Sequence, residues 1–424
     1  MRLLAVLAYC LLTPSVAWAQ QCVLLGGSNT ATSTTATRFV AFASQSGPAA
    51  TENQRNGLIP FSGQVSTLRI ELSGAPDTGA GTQSYQFTVR VDKADTAIIC
   101  TVSETATSCA DTTNVVSVTA GQELSLEITP SASAPTARSA QWVLSYHGNT
   151  TALPNRITVW PSSTAGNTIS ATANTFWGIQ GLDVSATEFE VEQIIPTAGV
   201  VKNFYVELDG SPNNGAGTQT YTFTVMQNSV ASAITCNISE AATTCNDTTN
   251  SFTVAAGDGV SIRSSIAAGT PTIRRASTGT AFEPTVEGEF VIAAANDTDL
   301  DTLATQYRRL QGVGSAVSAT ETVVQQLANA MTLTNFYVET SAAPDIGVGV
   351  QDYTFTVRDN VADISLACVI SETATTCNDT GTDVIAAADN MAISIVPSII
   401  APVAVDAHYS CTGYIAPRRM VLVE

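Results

Sequence analysis

Short runs in which apolar and polar residues alternate recur along the whole chain. Tyr85-Gln-Phe-Thr-Val89, Tyr221-Thr-Phe-Thr-Val225 and Tyr353-Thr-Phe-Thr-Val357 place Tyr, Phe and Val on one face and Gln or Thr on the other. A period of two sends successive side chains to opposite faces, so these runs read as half-buried strands and cannot build one apolar helical face. Upstream of each lies a second run: Thr67-Leu-Arg-Ile-Glu-Leu72, Asn203-Phe-Tyr-Val-Glu-Leu208 and Asn335-Phe-Tyr-Val-Glu-Thr340. Downstream, Val115-Val-Ser-Val118 and Leu124-Ser-Leu-Glu-Ile128 flank Ala120-Gly121, while Ser251-Phe-Thr-Val254 and Val260-Ser-Ile262 flank Ala256-Gly257-Asp258. Each such pair is expected to form a hairpin. Closing strands are expected near Trp142–Tyr146 and His408-Tyr409, with a weaker one at Ala281-Phe282.

The same order of runs appears three times. It predicts an all-β chain of three tandem antiparallel jelly-roll (β-sandwich) domains at 22–150, 155–286 and 288–424, behind an N-terminal leader at 1–19. The C-terminal Pro417-Arg-Arg-Met-Val-Leu-Val423 resembles Pro154-Asn-Arg-Ile-Thr-Val-Trp160, which opens the second unit. Four copies of an edge segment for three units fit sandwiches whose first and last strands are neighbours. That favours a jelly roll over an immunoglobulin-like sandwich, which usually needs only about 100 residues.

Cysteines mark the repeat most sharply. Cys100 and Cys109, Cys236 and Cys245, and Cys368 and Cys377 enclose related Ser-Glu-containing segments of equal length. The equal spacing predicts three local disulfides, each stapling a hairpin in which 101 faces 108 and 102 faces 107. A ring of this size is worth about 2.7 kcal/mol by chain entropy. Cys22 and Cys411 remain. A disulfide between them would tie unit one to unit three and is easiest in a pseudo-threefold cluster; intermolecular bonding or free thiols are the alternatives. Metal thiolates would need more histidines than His147 and His408.

Arg2, the apolar Leu3–Leu12 and Ala17-Trp18-Ala19 read as an export signal, whose removal takes Cys10 with it. The expected location is secreted, periplasmic or at the cell surface, with no membrane-spanning segment. A net charge of −19 and only 12% charged residues exclude electrostatic binding of nucleic acid.

The turn into Gly217-Thr-Gln-Thr-Tyr-Thr-Phe-Thr-Val225, the Ser/Thr-rich hairpin and Ala255-Ala-Gly-Asp258 resemble a bacterial and phage type of extracellular jelly-roll repeat. The strand rhythm is also similar to the trimer-forming jelly rolls of the complement and tumour-necrosis-factor type. These resemblances imply structural, coat or adhesive roles, and they carry no catalytic residues over.

Several residue types invite a chemical reading. Glu104, Glu240 and Glu372 stand at hairpin tips, where a cation or a sugar hydroxyl could be held, but solvated carboxylates are the plainer reading. Asp111, Asp247 and Asp379 precede Thr or lie beside it as turn-makers. Asp297-Thr-Asp-Leu-Asp301 opens like a calcium loop, but Thr302 and Arg308 stand where that loop needs Gly and Glu. His147 and His408 have no nucleophile elbow nearby. Trp160, Trp177 and Tyr307 lie near unit boundaries and are expected to pack in the core or between units. Asn149, Asn237, Asn246, Asn296 and Asn378 begin glycosylation-type triplets. The expectation is a non-catalytic structural or surface-interaction protein without cofactor, contacting other protein chains or itself. The alternative is an adhesin or lectin whose loops bind cell-surface glycans, with or without calcium.

Overall fold

Unit one builds nine strands: β1 (Cys22–Gly27), β2 (Arg38–Val40), β3 (Gly57–Leu58), β4 (Gly63–Leu72), β5 (Ser84–Val91), β6 (Ala94–Ser103), β7 (Ser108–Val118), β8 (Glu123–Pro130) and β9 (Ala140–Gly148). One sheet runs β1-β9-β4-β7 and the other β2-β8-β5-β6, with β3 also on β8; the pairings are antiparallel. First and last strands are therefore neighbours, and the sandwich is a jelly roll. This computed structural model describes residues 22–77, 79, 81–148, 157–314, 317–345, 347 and 349–416. The expected leader, Asn149, the start of the Pro154–Trp160 segment and the Pro417–Val423 segment lie outside the described residues.

The alternating runs face as their chemistry requires. Tyr85, Phe87 and Val89 on β5, with Leu68, Ile70 and Leu72 on β4, point into the interior. Each β4-type strand carries a bulge, where Thr67, Asn203 and Asn335 adopt φ of 55°, 52° and 49°. The bulge shifts the register so that both halves of a long strand keep their apolar residues inward.

Units two and three repeat this plan. Their inner sheets add a short parallel pair, Ser162–Ser163 with Gly181–Leu182 and Ala294–Ala295 with Gly312–Val313. Helix is limited, among the described residues, to the 3-10 turns Glu52–Gln54 and Glu321–Val323, and no helix is long and apolar enough to cross a membrane.

Two local expectations need correction. The cysteine strands do not form a hairpin ladder, because β6 is the edge of one sheet and β7 the edge of the other. The turn closes as Ala106 N–H donates to Ser103 O, and the strands then part. Cys100–Cys109, Cys236–Cys245 and Cys368–Cys377 are bonded, each with Cα atoms 5.8 Å apart, and each pins the open side of a sandwich. For the same reason β7 and β8, expected to pair, lie in different sheets.

The three units close into a ring. β3 of unit one leans on the inner sheet of unit two, at Thr158–Ser163 and Ala276–Pro284. Its counterpart Gln193–Ile194 leans on unit three, at Glu289–Ala295 and Ala407–Tyr414. Gln326–Leu327 of unit three completes the circle on β1 and β9 of unit one. This closure does not use a Cys22–Cys411 disulfide: both are buried thiols. Cys22 stands opposite Tyr146, whereas Cys411 occupies the position that Leu144 holds in unit one. The two are thus offset by two residues, about 7 Å along a strand, as well as lying in different units.

Candidate functional site at the seams between units

The seams are built from residues contributed one at a time by distant parts of the chain. Four residues beyond the aromatic of each β2-type strand stand Ala43, Gln180 and Gln311, which register places at equivalent positions. Gln311 Oε1 accepts the Leu25 N–H of unit one at 2.6 Å, and Gln180 Oε1 accepts the Ala293 N–H of unit three at 3.1 Å. Gln311 Nε2 donates to Gln180 Oε1 at 3.0 Å, so the two amides meet. The third seam has no such bond to make, because Ala43 lacks an acceptor side chain and Pro161, at the Leu25 position, lacks an N–H.

A second set of amides supports the first. Gln193 Oε1 accepts Gln180 N–H at 2.7 Å, and Gln326 Oε1 accepts Gln311 N–H at 2.8 Å. Arg309 crosses from unit three to unit one, donating to Gly27 O at 2.7 Å and Gln45 O at 3.0 Å. Its guanidinium is fully buried, which lowers its pKa to about 10. Asn329 Nδ2 donates to Ser145 Oγ at 2.8 Å in the same seam.

Clefts open outward from two seams. Between units one and two a cleft of about 220 Å³ is lined by Asn53, Lys93, Glu123, Glu207, Asp209 and Arg275. Lys93 pairs with Glu123 at 2.9 Å and Arg275 with Asp209 at 3.2 Å. Between units three and one, a cleft of about 330 Å³ holds Arg69, Glu71 and Asn390. Asn390 Nδ2 donates to Glu71 Oε2 at 2.9 Å. Both clefts offer donors and acceptors of either charge, the chemistry that recognises hydroxyl-rich or zwitterionic groups.

The seam between units two and three is acidic. Glu192 is 7% exposed, with its Oε1 unpaired. Burial first, then Glu188 and Glu339, push its pKa up to about 7. Units one and three hold Asn56 and Gln325 at this position, and there the acids at the Glu188 position meet arginines, Arg90 to Glu52 at 3.0 Å and Arg358 to Glu321 at 2.8 Å. Unit two has Met226 where those arginines stand. His408 lies in this seam too, stacked on Phe189 at 4.1 Å. Burial lowers its pKa to about 3, against the backbone of Phe189.

The repeated acids serve the fold. Glu104 Oε1 accepts Gln83 N–H at 3.1 Å while Gln83 O accepts Glu104 N–H at 2.9 Å, tying the β6–β7 turn to the loop before β5; Glu240 does the same with Gln219. Glu372 N–H donates to Gln351 O. Asp111 Oδ2 takes Ile99 N–H from the opposite sheet at 3.1 Å, and its Oδ1 takes Thr113 and Asn114 N–H. Asp247 is identical in pattern, and Asp379 takes Ala367 and Gly381 N–H. Desolvation opposes ionisation, but these donors, led by the Asn114 and Asn250 side chains, hold Asp111 and Asp247 down to about 2.

In the Asp297–Asp301 segment, Asp301 Oδ1 caps Leu303 and Ala304 N–H, and Thr298 O accepts from Arg308. Among the described residues no group of three or more His, Cys, Asp or Glu side chains is arranged to hold a metal ion. Trp160 stacks on Phe282 at 5.0 Å and Trp177 is wholly buried, so both are core residues; Tyr307 lies under Arg358 at 5.7 Å. Asn296 is buried, Nδ2 donating to Gly314 O at 2.8 Å.

Sequence reasoning missed one pairing. Ser66 Oγ lies 2.7 Å from His147 Nε2, both buried. The equivalent places hold Lys202 and Glu283, joined at 2.5 Å, and Thr334 and Tyr414. A position that carries a hydroxyl–imidazole pair, an ion pair or neither is a cross-strand contact.

No protein-family model matches the chain, and no curated protein is significantly similar to it in sequence.

Proposed function

We propose that the chain is an exported, non-catalytic structural or surface-interaction protein, a tandem jelly-roll repeat protein that serves in a coat, filament or envelope-associated layer. One observation carries this reading: three sandwiches in one chain close into a ring through the seams. Such closure yields a rigid head whose composition is fixed, and whose sandwiches are each pinned by a disulfide. It also supports likeness to trimer-forming jelly rolls of the complement and tumour-necrosis-factor type, with one chain in place of three. The three disulfides fit an oxidising compartment outside the cytoplasm.

Electron microscopy and light scattering of the purified mature chain test the reading. Ordered layers, filaments or coats support it. Monomers at every concentration, together with saturable sugar binding, would replace it with the lectin reading, for which the polar Lys93–Arg275 cleft is the specific ground. In that case a glycan array gives hits that Arg275→Ala abolishes.

A further inference from the structure

The geometry points to a small acceptor-only anion, of the halide class, bound inside unit three between Arg308, Gln306 and Tyr409. Arg308 and Tyr409 are 0% exposed and Gln306 is 4% exposed. Of the Arg308 guanidinium only Nη2 is bonded, to Thr298 O at 2.8 Å and more loosely to Asp299 O and Gln306 Oε1, each at 3.4 Å. Arg308 Nε and Nη1, Gln306 Nε2 and Tyr409 Oη are buried without a partner.

The chemistry of that set is one-sided. Two guanidinium nitrogens and an amide nitrogen can only donate, and the phenol can donate with them. An unmade bond of this kind costs about 1–3 kcal/mol each, more for a charged group. A water placed among them would bring two hydrogens of its own, while a halide brings none and carries the compensating charge. Asp406, Asp297 and Asp299 are felt electrostatically by Arg308. Arg309, which also senses Tyr409, spends Nη1 and Nη2 on carbonyls of unit one and Val323 and leaves its Nε without a partner.

At the Arg308 and Tyr409 positions the other two units carry no charge. Register puts Val40 with Trp142 in unit one and Trp177 with Thr278 in unit two where unit three has Arg308 with Tyr409. Trp142 Nε1 donates to Ala41 O at 3.0 Å and Trp177 Nε1 to Thr278 Oγ1 at 3.3 Å, so each indole is satisfied within its unit. At this place, among the described residues, unit three alone leaves donors over.

The test uses the full mature chain. Crystals grown in sodium bromide are measured at the bromine edge; the expected result is an anomalous peak within hydrogen-bond distance of Arg308 Nη1 or Nε and of Tyr409 Oη. Thermal unfolding in chloride or bromide is compared with gluconate at equal ionic strength, and the halides raise Tm in proportion to the logarithm of their concentration. The double variant Arg308→Trp/Tyr409→Thr, which imports the pair of unit two, keeps the fold and loses that difference. No bromine peak, an ordered water in its place, or equal melting in halide and gluconate overturns the proposal whether or not the variant folds.

Discussion

Gly57 lies directly against Pro161 across the first seam: a Cβ on Gly57 would stand 2.5 Å from the Pro161 Cβ. The equivalent residues of the other seams are Gln193 and Gln326, whose side chains accept the Gln180 and Gln311 N–H groups. Glycine, alanine and proline at 57, 43 and 161 thus form one co-adapted set, and a glutamine pair facing a backbone N–H forms the other. Gly57→Gln is expected to destabilise the chain by about 1–3 kcal/mol through overpacking. Pro161→Gly in the same chain removes the obstructing Cβ and recovers part of the loss. Denaturant melts of the single and double variants check this; an unaltered midpoint for the single variant would show that the seam gives way freely.

Strand runs were legible because alternation at period two is local, and Tyr85, Phe87 and Val89 are buried as the pattern requires. Sheet membership was not. A four-residue turn between two strands reads as a hairpin, and nothing within Cys100–Cys109 says that β6 and β7 go to different sheets. The disulfide geometry is the same either way. The seams were less legible still, since Leu25 and Gln311 are 286 positions apart and a single amide carries the contact. Asn56, Glu192 and Gln325 give no signal until register aligns them. The cysteine pair Cys22 and Cys411 did hint at closure, though burial rather than a bond is what the ring makes of them.

Asp247 illustrates how a repeated acid works without being a site. It accepts Thr235 N–H from the facing sheet at 3.0 Å and Asn250 Nδ2–H at 2.8 Å on one oxygen. Asp247→Asn would replace one acceptor oxygen by an amide donor, leaving backbone N–H groups unpaired at a cost of about 1–3 kcal/mol. The pH sign follows. With folded values of about 2 against 3.8 for the free group, Asp111 and Asp247 contribute stability above pH 3.8 that is lost as pH falls through 2. A stability profile from pH 5 to pH 1.5 should fall more steeply for the parent than for Asp111→Asn/Asp247→Asn. Parallel profiles would remove these carboxylates from the account of acid lability.

Ser66 and His147 should be replaceable as a pair. Unit two builds the same diagonal contact from Lys202 and Glu283. Ser66→Lys/His147→Glu is expected to fold with stability within about 1 kcal/mol of the parent, the range of partly exposed ion pairs. Each single substitution is expected to cost more, because it leaves a buried polar group unpaired. A double-mutant cycle measures the coupling. A coupling energy near zero would mean the contact is incidental.

Glu192 makes the second seam pH-sensitive. Its neighbours across and along the seam are Glu339 of unit three and Glu188 of its own unit, with no arginine at Met226 to offset them. Burial and these two carboxylates raise its folded value to about 7, above the ordinary 4.5, so the native state prefers the protonated acid. The linked stability is fully present below pH 4.5 and lost as pH rises through 7, amounting to about 3 kcal/mol at most. His408 stays neutral throughout this range, its value lowered to about 3. Glu192→Gln, which installs the amide found as Gln325 in unit three, should fold and should flatten the stability profile between pH 5 and pH 8. The variant is expected to match the parent near pH 5 and exceed it at pH 8. Denaturation midpoints at four pH values decide the matter, and a variant whose profile keeps the parent's slope would move the pH dependence to another group.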